Sequence, residues 1–151
     1  MQIPYVARES TISGIGLFAT EAIARGTLLW RCDEQSVREH DEPSLRARIA
    51  GMTPKERTDF LEHVYTWEGK VVEILDDGKL WNHSRVKQNT GNHPDPGAGD
   101  GVSSYALRDI EPGEELLDDY SAYDRLEWFE KLCAEVGSRS CKVVGDELVD
   151  A

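Results

Sequence analysis

The chain has 151 residues, room for one ordinary domain rather than two. Its 29 acids against 17 bases leave a net charge of −12. That field repels nucleic-acid phosphates and anionic membrane surfaces, and favours basic partners such as lysine-rich protein tails. No apolar run reaches the length of a membrane span. Met1-Gln2-Ile3-Pro4 lacks the basic and apolar regions of a secretory signal, so the expectation is an intracellular protein, cytoplasmic or nuclear and not secreted. The three cysteines form no CxxC pair, so neither a disulfide framework nor a bound metal is expected.

In chain order, strands are expected at Ile3–Ala7, Leu17–Ala19 and Thr27–Cys32, bounded by Gly, Pro or Asp turns. A helix is expected from Pro43 to Ala50. Another opens at Thr53-Pro54-Lys55-Glu56, where Thr suits the N-cap, Pro the first helical position and Glu the closing of a capping box. Phe60, Leu61, Val64 and Tyr65 would form its buried stripe. A strand follows at Val71–Leu75, then a Pro- and Gly-rich loop over 92–101, then strands at Ser103–Leu107 and Glu115–Leu117. Asp124-Arg125-Leu126-Glu127 reads as a second capping box. Trp128, Phe129, Leu132, Cys133 and Val136 form the apolar face of the helix behind it, and Gly137 stops it. Between Asp100 and Glu127 nine acids face two bases, which reads either as a solvated face or as a site for a basic ligand.

Single motifs are ambiguous. Gly14-Ile15-Gly16 has no third glycine and opens no helix, so alone it reads as a turn rather than a dinucleotide loop. Asn82-His83 alone reads as an Asx turn with a core histidine, and Tyr120 as a strand aromatic. Adjacent acids, Glu114-Glu115 and Asp118-Asp119, would point to opposite faces of a strand and are not arranged to share a proton.

Three segments in order carry more. Gly14-Ile15-Gly16-Leu17-Phe18-Ala19 with Ile23-Ala24-Arg25-Gly26-Thr27, then Trp81-Asn82-His83-Ser84, then the run from Ala106 to Tyr120 (Ala-Leu-Arg-Asp-Ile-Glu-Pro-Gly-Glu-Glu-Leu-Leu-Asp-Asp-Tyr) together resemble the SET domain over roughly residues 3–136. This is a family of protein-lysine methyltransferases that use S-adenosylmethionine, and the likeness is to its small, stand-alone, bacterial-type members. The resemblance implies a mainly β fold of small sheets with short helices, a β-clip-like arrangement with a C-terminal pseudoknot. It implies one SET domain over 1–137 with a variable insert at about 38–68 and a lid helix at about 124–136, followed by an acidic tail over 138–151. It also implies a cofactor site at Gly14, Ile15, Gly16, Leu17, Asn82 and His83, with Trp128 as a cap, and a catalytic Tyr120. Tyr65, Tyr105 and Asp118 would line the substrate site. The partner would be a lysine-rich protein or peptide, a histone tail among them; no direct nucleic-acid or membrane contact is implied, and a homodimer stays open. The rival is an inactive SET-like module that binds basic peptides.

The chemistry fits those residue types. Methyl transfer to an amine is an in-line displacement that asks the protein for alignment and a narrow, partly dry channel. Gly-x-Gly lets backbone approach a ligand, Asn both donates and accepts, and a tyrosine hydroxyl offers an uncharged oxygen. The chain departs from the pattern in four ways. Arg85-Val86-Lys87-Gln88-Asn89 follows Ser84 where relatives have Cys-x-Pro-Asn, so Asn89 comes one residue late. The CxC of zinc-bearing tails is missing. Cys32 stands where many relatives carry Tyr in the channel wall. Asp118 stands where a Phe or Tyr helps set methylation multiplicity, which predicts mainly monomethyl product.

Overall fold

In the computed structural model, which describes residues 1–150, Tyr5–Glu9 (β1) and Ile15–Ala19 (β2) form an antiparallel hairpin with Tyr5 opposite Ala19 and Glu9 opposite Ile15. Leu28–Trp30 (β3) pairs with Ser104–Ala106 (β9), whose other edge takes Thr90–Gly91 (β8). Val37–His40 (β4) and Val64–Trp67 (β5) flank Lys70–Ile74 (β6) in a third antiparallel sheet. The fold is thus mainly small β-sheets, as the resemblance implies, with four short helices: Glu42–Ile49 (α1), Pro54–Leu61 (α2), Glu127–Glu135 (α3) and Cys141–Glu147 (α4).

The fourth sheet sets the topology. Leu117–Asp118 (β10) runs parallel to Asn82–His83 (β7), with Leu117 opposite Asn82 and Asp118 opposite His83. On its far side the Leu117 carbonyl accepts from the Asn89 amide (3.1 Å) and the Thr90 hydroxyl (2.9 Å). The buried Asn89 side chain bridges the crossing, accepting from the Leu117 amide (2.8 Å) and donating to the Glu115 carbonyl (2.8 Å). The strand before Tyr120 is therefore threaded between 82–84 and 89–90. Asn89, one residue late in sequence, supplies backbone-like hydrogen bonds that satisfy groups buried at the crossing.

Two apolar clusters hold the frame. Leu17, Leu29, Trp30, Trp81, Ile110 and Leu116 gather beneath the β-rich half; Leu45, Ile49, Leu61, Val64, Phe129 and Leu132 join α1, α2, α3 and the third sheet. Burying each such side chain stabilises by about 1.5–3 kcal/mol.

Several sequence expectations shift. The Thr53 capping box forms as read, with Thr53 Oγ1 accepting from the Glu56 amide (3.2 Å) and the Glu56 carboxylate from the Thr53 amide (3.0 Å). The helix ends at Leu61, however, and Val64 and Tyr65 lie on β5, where β-branched and aromatic residues suit the pleat. The second capping box does not form. The Asp124 carbonyl is taken by the Thr66 hydroxyl (2.5 Å) and its carboxylate by the Glu68 amide (3.3 Å), so the N-cap falls on Leu126, without a side-chain cap, and α3 starts at Glu127. Gly137, at φ 73°, ends it as expected. The segment expected as a tail from 138 carries α4, capped by the Ser140 hydroxyl on the Val143 amide.

Candidate active site

The three motifs converge on one point. A Cβ built on Gly16 would lie 2.0 Å from Glu115 Oε1, so only glycine lets that carboxylate lie across the β2 backbone. There Glu115 accepts from Asn82 Nδ2 (2.9 Å) and from the Ser10 hydroxyl (3.0 Å). Asn82 Nδ2 also donates to the Ser13 carbonyl (2.9 Å), just before Gly14 turns the chain at φ 45°. Glu115 joins the first motif to the second; its place inside the third was the signal for it in the sequence.

Tyr120 opens a 3-10 turn over Tyr120–Ala122 rather than continuing a strand. Its hydroxyl donates a short hydrogen bond to the Trp81 carbonyl, and its amide donates to His83 Nδ1 (2.9 Å). Nδ1 is therefore the acceptor of the ring, and the imidazole proton sits on Nε2, which faces the Leu148 carbonyl at 3.4 Å. Burial pushes the Tyr120 phenol far above its usual range, so this hydroxyl stays neutral. Helix α4 closes over the turn: Lys142 Nζ donates to the Ser121 carbonyl (2.6 Å), and Gly145 packs on the Tyr120–Ser121 backbone.

A cavity of about 290 Å³ opens in front of Tyr120. Its walls are aromatic (Trp30, Tyr65, Trp81, Tyr120, Tyr123) and its lining includes the carboxylates of Glu39, Glu62, Asp118, Asp119 and Asp124 against a single lysine, Lys79. Asp118 Oδ2 accepts from the Tyr123 hydroxyl (2.6 Å), and Oδ1 from the Asp119 amide (2.8 Å). Burial pushes the Asp118 carboxyl up, outweighing the hydrogen bonds that pull it down. Tyr65 stacks on Tyr123 at 5.3 Å and its hydroxyl meets Cys32 Sγ at 3.8 Å.

The SET domain family matches residues 14–121, more than half of the chain and the whole span from Gly14 to the Tyr120 turn. The chain is a SET-domain protein. Members of this family are in general S-adenosylmethionine-dependent methyltransferases. No curated protein matches the chain significantly. Among solved structures, one similar to this SET protein is a Plasmodium falciparum protein described as a candidate histone methyltransferase, 20% identical, with a TM-score of 0.49, covering 78% of this chain and 92% of that one. Membership rests on the SET match itself.

Other expected site residues of the SET protein fall outside the cavity. Tyr105 faces away from it: on β9 its neighbour Ser104 lines the cavity, and alternation sends Tyr105 to the other side, against His93 (5.1 Å, edge-on) and the Asp100 amide (3.2 Å). Trp128 lies in a shallow depression with Glu42, Arg46 and Lys131, packed on the helical cluster, because α3 is committed to α1 and α2. The element that covers Tyr120 is α4, not the 124–136 helix. Tyr65, Asp118 and Tyr120 meet in the cavity; Gly14 to Leu17, Asn82 and His83 do not line it, Asn82 being bonded to the Ser13 carbonyl and Glu115 and His83 to the Tyr120 amide. Sequence reasoning missed Glu115, Tyr123 and the Trp81 carbonyl as parts of the site. Among the described residues no three His, Cys, Asp or Glu side chains come together as a metal site.

The residues fit the cofactor that the family implies. Glu115 and the Ser13 carbonyl form an acceptor-rich pair suited to an α-ammonium. The turn at Gly14 is open: a Cβ there would meet nothing within 4 Å.

Proposed function

We propose that this chain is a protein-lysine N-methyltransferase that takes its methyl group from S-adenosylmethionine and delivers it to a lysine of a basic protein, a histone tail or another lysine-rich segment. The observation that carries this reading is the Tyr120 hydroxyl, fixed by the Trp81 carbonyl between the motif cluster and an aromatic cavity lined by acids.

Bound S-adenosylmethionine supplies a methyl group made electrophilic by a positively charged sulfur. Gly14, Ile15, Gly16 and Leu17 would offer backbone to its amino-acid end, with Asn82 and Glu115 accepting or directing its ammonium group and His83 flanking the other end. Tyr120 spends its hydroxyl proton on Trp81, so its oxygen lone pairs are left for the reacting centre. Because burial holds that phenol neutral, it positions and polarises rather than acting as a base. Tyr65, Tyr123 and Trp30 exclude water from the lysine stem, and ring faces attract its ammonium group. The carboxylates around the cavity favour a peptide with further basic residues beside the target.

Incubation of the full chain with methyl-labelled S-adenosylmethionine and a lysine-rich peptide tests this. Label on lysine Nζ is expected. Peptide binding without any transfer of label would instead favour the inactive basic-peptide module.

A further inference from the structure

On the methyltransferase reading above, a lysine reaching the cavity presents a chemical difficulty. A free lysine titrates near 10.4, so only about one in 2,500 is neutral and nucleophilic at pH 7. Something in or near the cavity has to remove a proton. Tyr120 cannot: its hydroxyl donates to Trp81 and its phenol is held neutral. Asp119 is the cap of the Tyr120–Ala122 turn, its Oδ1 accepting from the Ser121 amide (2.9 Å) and hydroxyl (2.6 Å), which ties its carboxylate to that turn.

We propose that Asp118 is the proton acceptor for the substrate ammonium, held in its accepting orientation by the Tyr123 hydroxyl. Asp118 lines the cavity beside Tyr120. Its oxygens accept from the Tyr123 hydroxyl, the Asp119 amide and the Gln88 side chain, which leaves one of the roughly four acceptor positions of a carboxylate for the substrate. Tyr123 is in turn located by the stacked ring of Tyr65 on β5. The titratable groups that face Asp118 are Asp119 beside it, Tyr120 and Tyr123 on the following turn, Tyr65 on β5 and Cys141 on α4; His83 on β7 lies opposite in register. None forms an ion pair with Asp118. The carboxylate is uncompensated, and burial raises its affinity for a proton.

In the step, an Nζ–H bond of the ammonium breaks, an O–H bond forms on the Asp118 carboxylate and the electron pair stays on nitrogen. The proton leaves to water through the cavity mouth once the product departs. No co-reactant is needed. Asp118 would touch the substrate; Tyr123 is a positioning residue that acts through it.

The test is the pH profile of transfer from S-adenosylmethionine to a synthetic lysine-rich peptide, for the full chain and for Asp118→Asn and Tyr123→Phe, each checked for folding by thermal unfolding. Asp118→Asn is expected to be slower by roughly a hundredfold at pH 7, with the deficit closing as the pH approaches that of free lysine. Tyr123→Phe removes a hydrogen bond to the charged carboxylate, so its rising limb moves to higher pH. A deficit of the same size at every pH, no deficit, or an unmoved limb overturns the proposal. A second readout needs no methyl donor: Asp118→Asn weakens binding of the lysine peptide and leaves binding of its norleucine counterpart unchanged. Equal effects on both peptides count against the contact. A wild-type chain that shows this binding difference yet transfers no methyl at any pH overturns the methyltransferase reading, and the proton role falls with it. Transfer with a pH profile independent of Asp118 overturns the proton role alone.

Discussion

Gly145 lies against the backbone of Tyr120 so closely that a Cβ on it would come within 2.6 Å of the Tyr120 carbonyl carbon, 2.7 Å of its Cβ and 2.3 Å of the Ser121 amide nitrogen. Glycine inside a helix ordinarily costs about 0.5–1 kcal/mol relative to alanine. Here that weakness is the condition for α4 to reach the active-site turn.

The sign of a substitution therefore separates packing from propensity. Gly145→Ala should destabilise, by about 1–3 kcal/mol for a clash against backbone, although it improves helix propensity. Gly51→Ala, where a Cβ would meet nothing within 4 Å, should change stability by less than about 0.5 kcal/mol. Chemical denaturation of both measures this; a Gly145→Ala protein at least as stable as wild type would detach α4 from the account.

Asn82→Ala leaves Glu115 Oε1 and the Ser13 carbonyl one donor short. The motif cluster would loosen where the cofactor's amino-acid end is proposed to sit. Affinity for S-adenosylmethionine, read by calorimetry, should fall by about 1–3 kcal/mol. Unchanged affinity would make the cluster purely structural.

Asp118 predicts a stability effect of definite sign. Its carboxyl is raised in the folded protein by burial, so folding favours the protonated form. The stability it contributes is complete below the ordinary aspartate range and is lost as pH rises through the raised folded value. Asp118→Asn should thus raise Tm at pH 7.5, the Tyr123 hydroxyl rotating to suit the amide. The gain should shrink as pH falls and vanish near pH 4, an approximate limit set by unperturbed aspartate. A Tm gain independent of pH would mean that charge burial is not its source.

The carboxylates lining the cavity predict salt sensitivity. At low substrate, rates on a lysine-rich peptide should drop between roughly 50 and 300 mM salt, since exposed charges are screened over about 10 Å or less. A flat profile would leave the acids as solvated surface only.

The legible parts of this molecule were those fixed by local backbone chemistry or by motif order. Thr53 and Glu56 specify a helix start whatever packs on it, and Gly16, Asn82 and the Glu115–Tyr120 run kept their order although their meeting point spans 99 positions. What escaped depends on distant partners. Val64 and Tyr65 fit a helical stripe until β6 offers a strand to pair with. Asp124 fits an N-cap until Thr66 and Glu68 claim it. Helix α4 gave little signal because its central Gly145 serves tertiary contact, not propensity. Tyr105 and Trp128 are large aromatics near the right segments, but strand alternation and the α3 packing face turn both away from the cavity.

The most direct measurement is mass spectrometry of a lysine-rich peptide after incubation with S-adenosylmethionine and either the wild-type chain or Tyr120→Phe. The substitution removes only the hydroxyl bonded to the Trp81 carbonyl. Wild type should add predominantly one methyl group to lysine Nζ, and folded Tyr120→Phe should do so at least about tenfold more slowly, the loss of a single oriented polar group at the reacting centre. An unmodified peptide with the folded wild-type chain, or equal rates for the two proteins, would contradict the account.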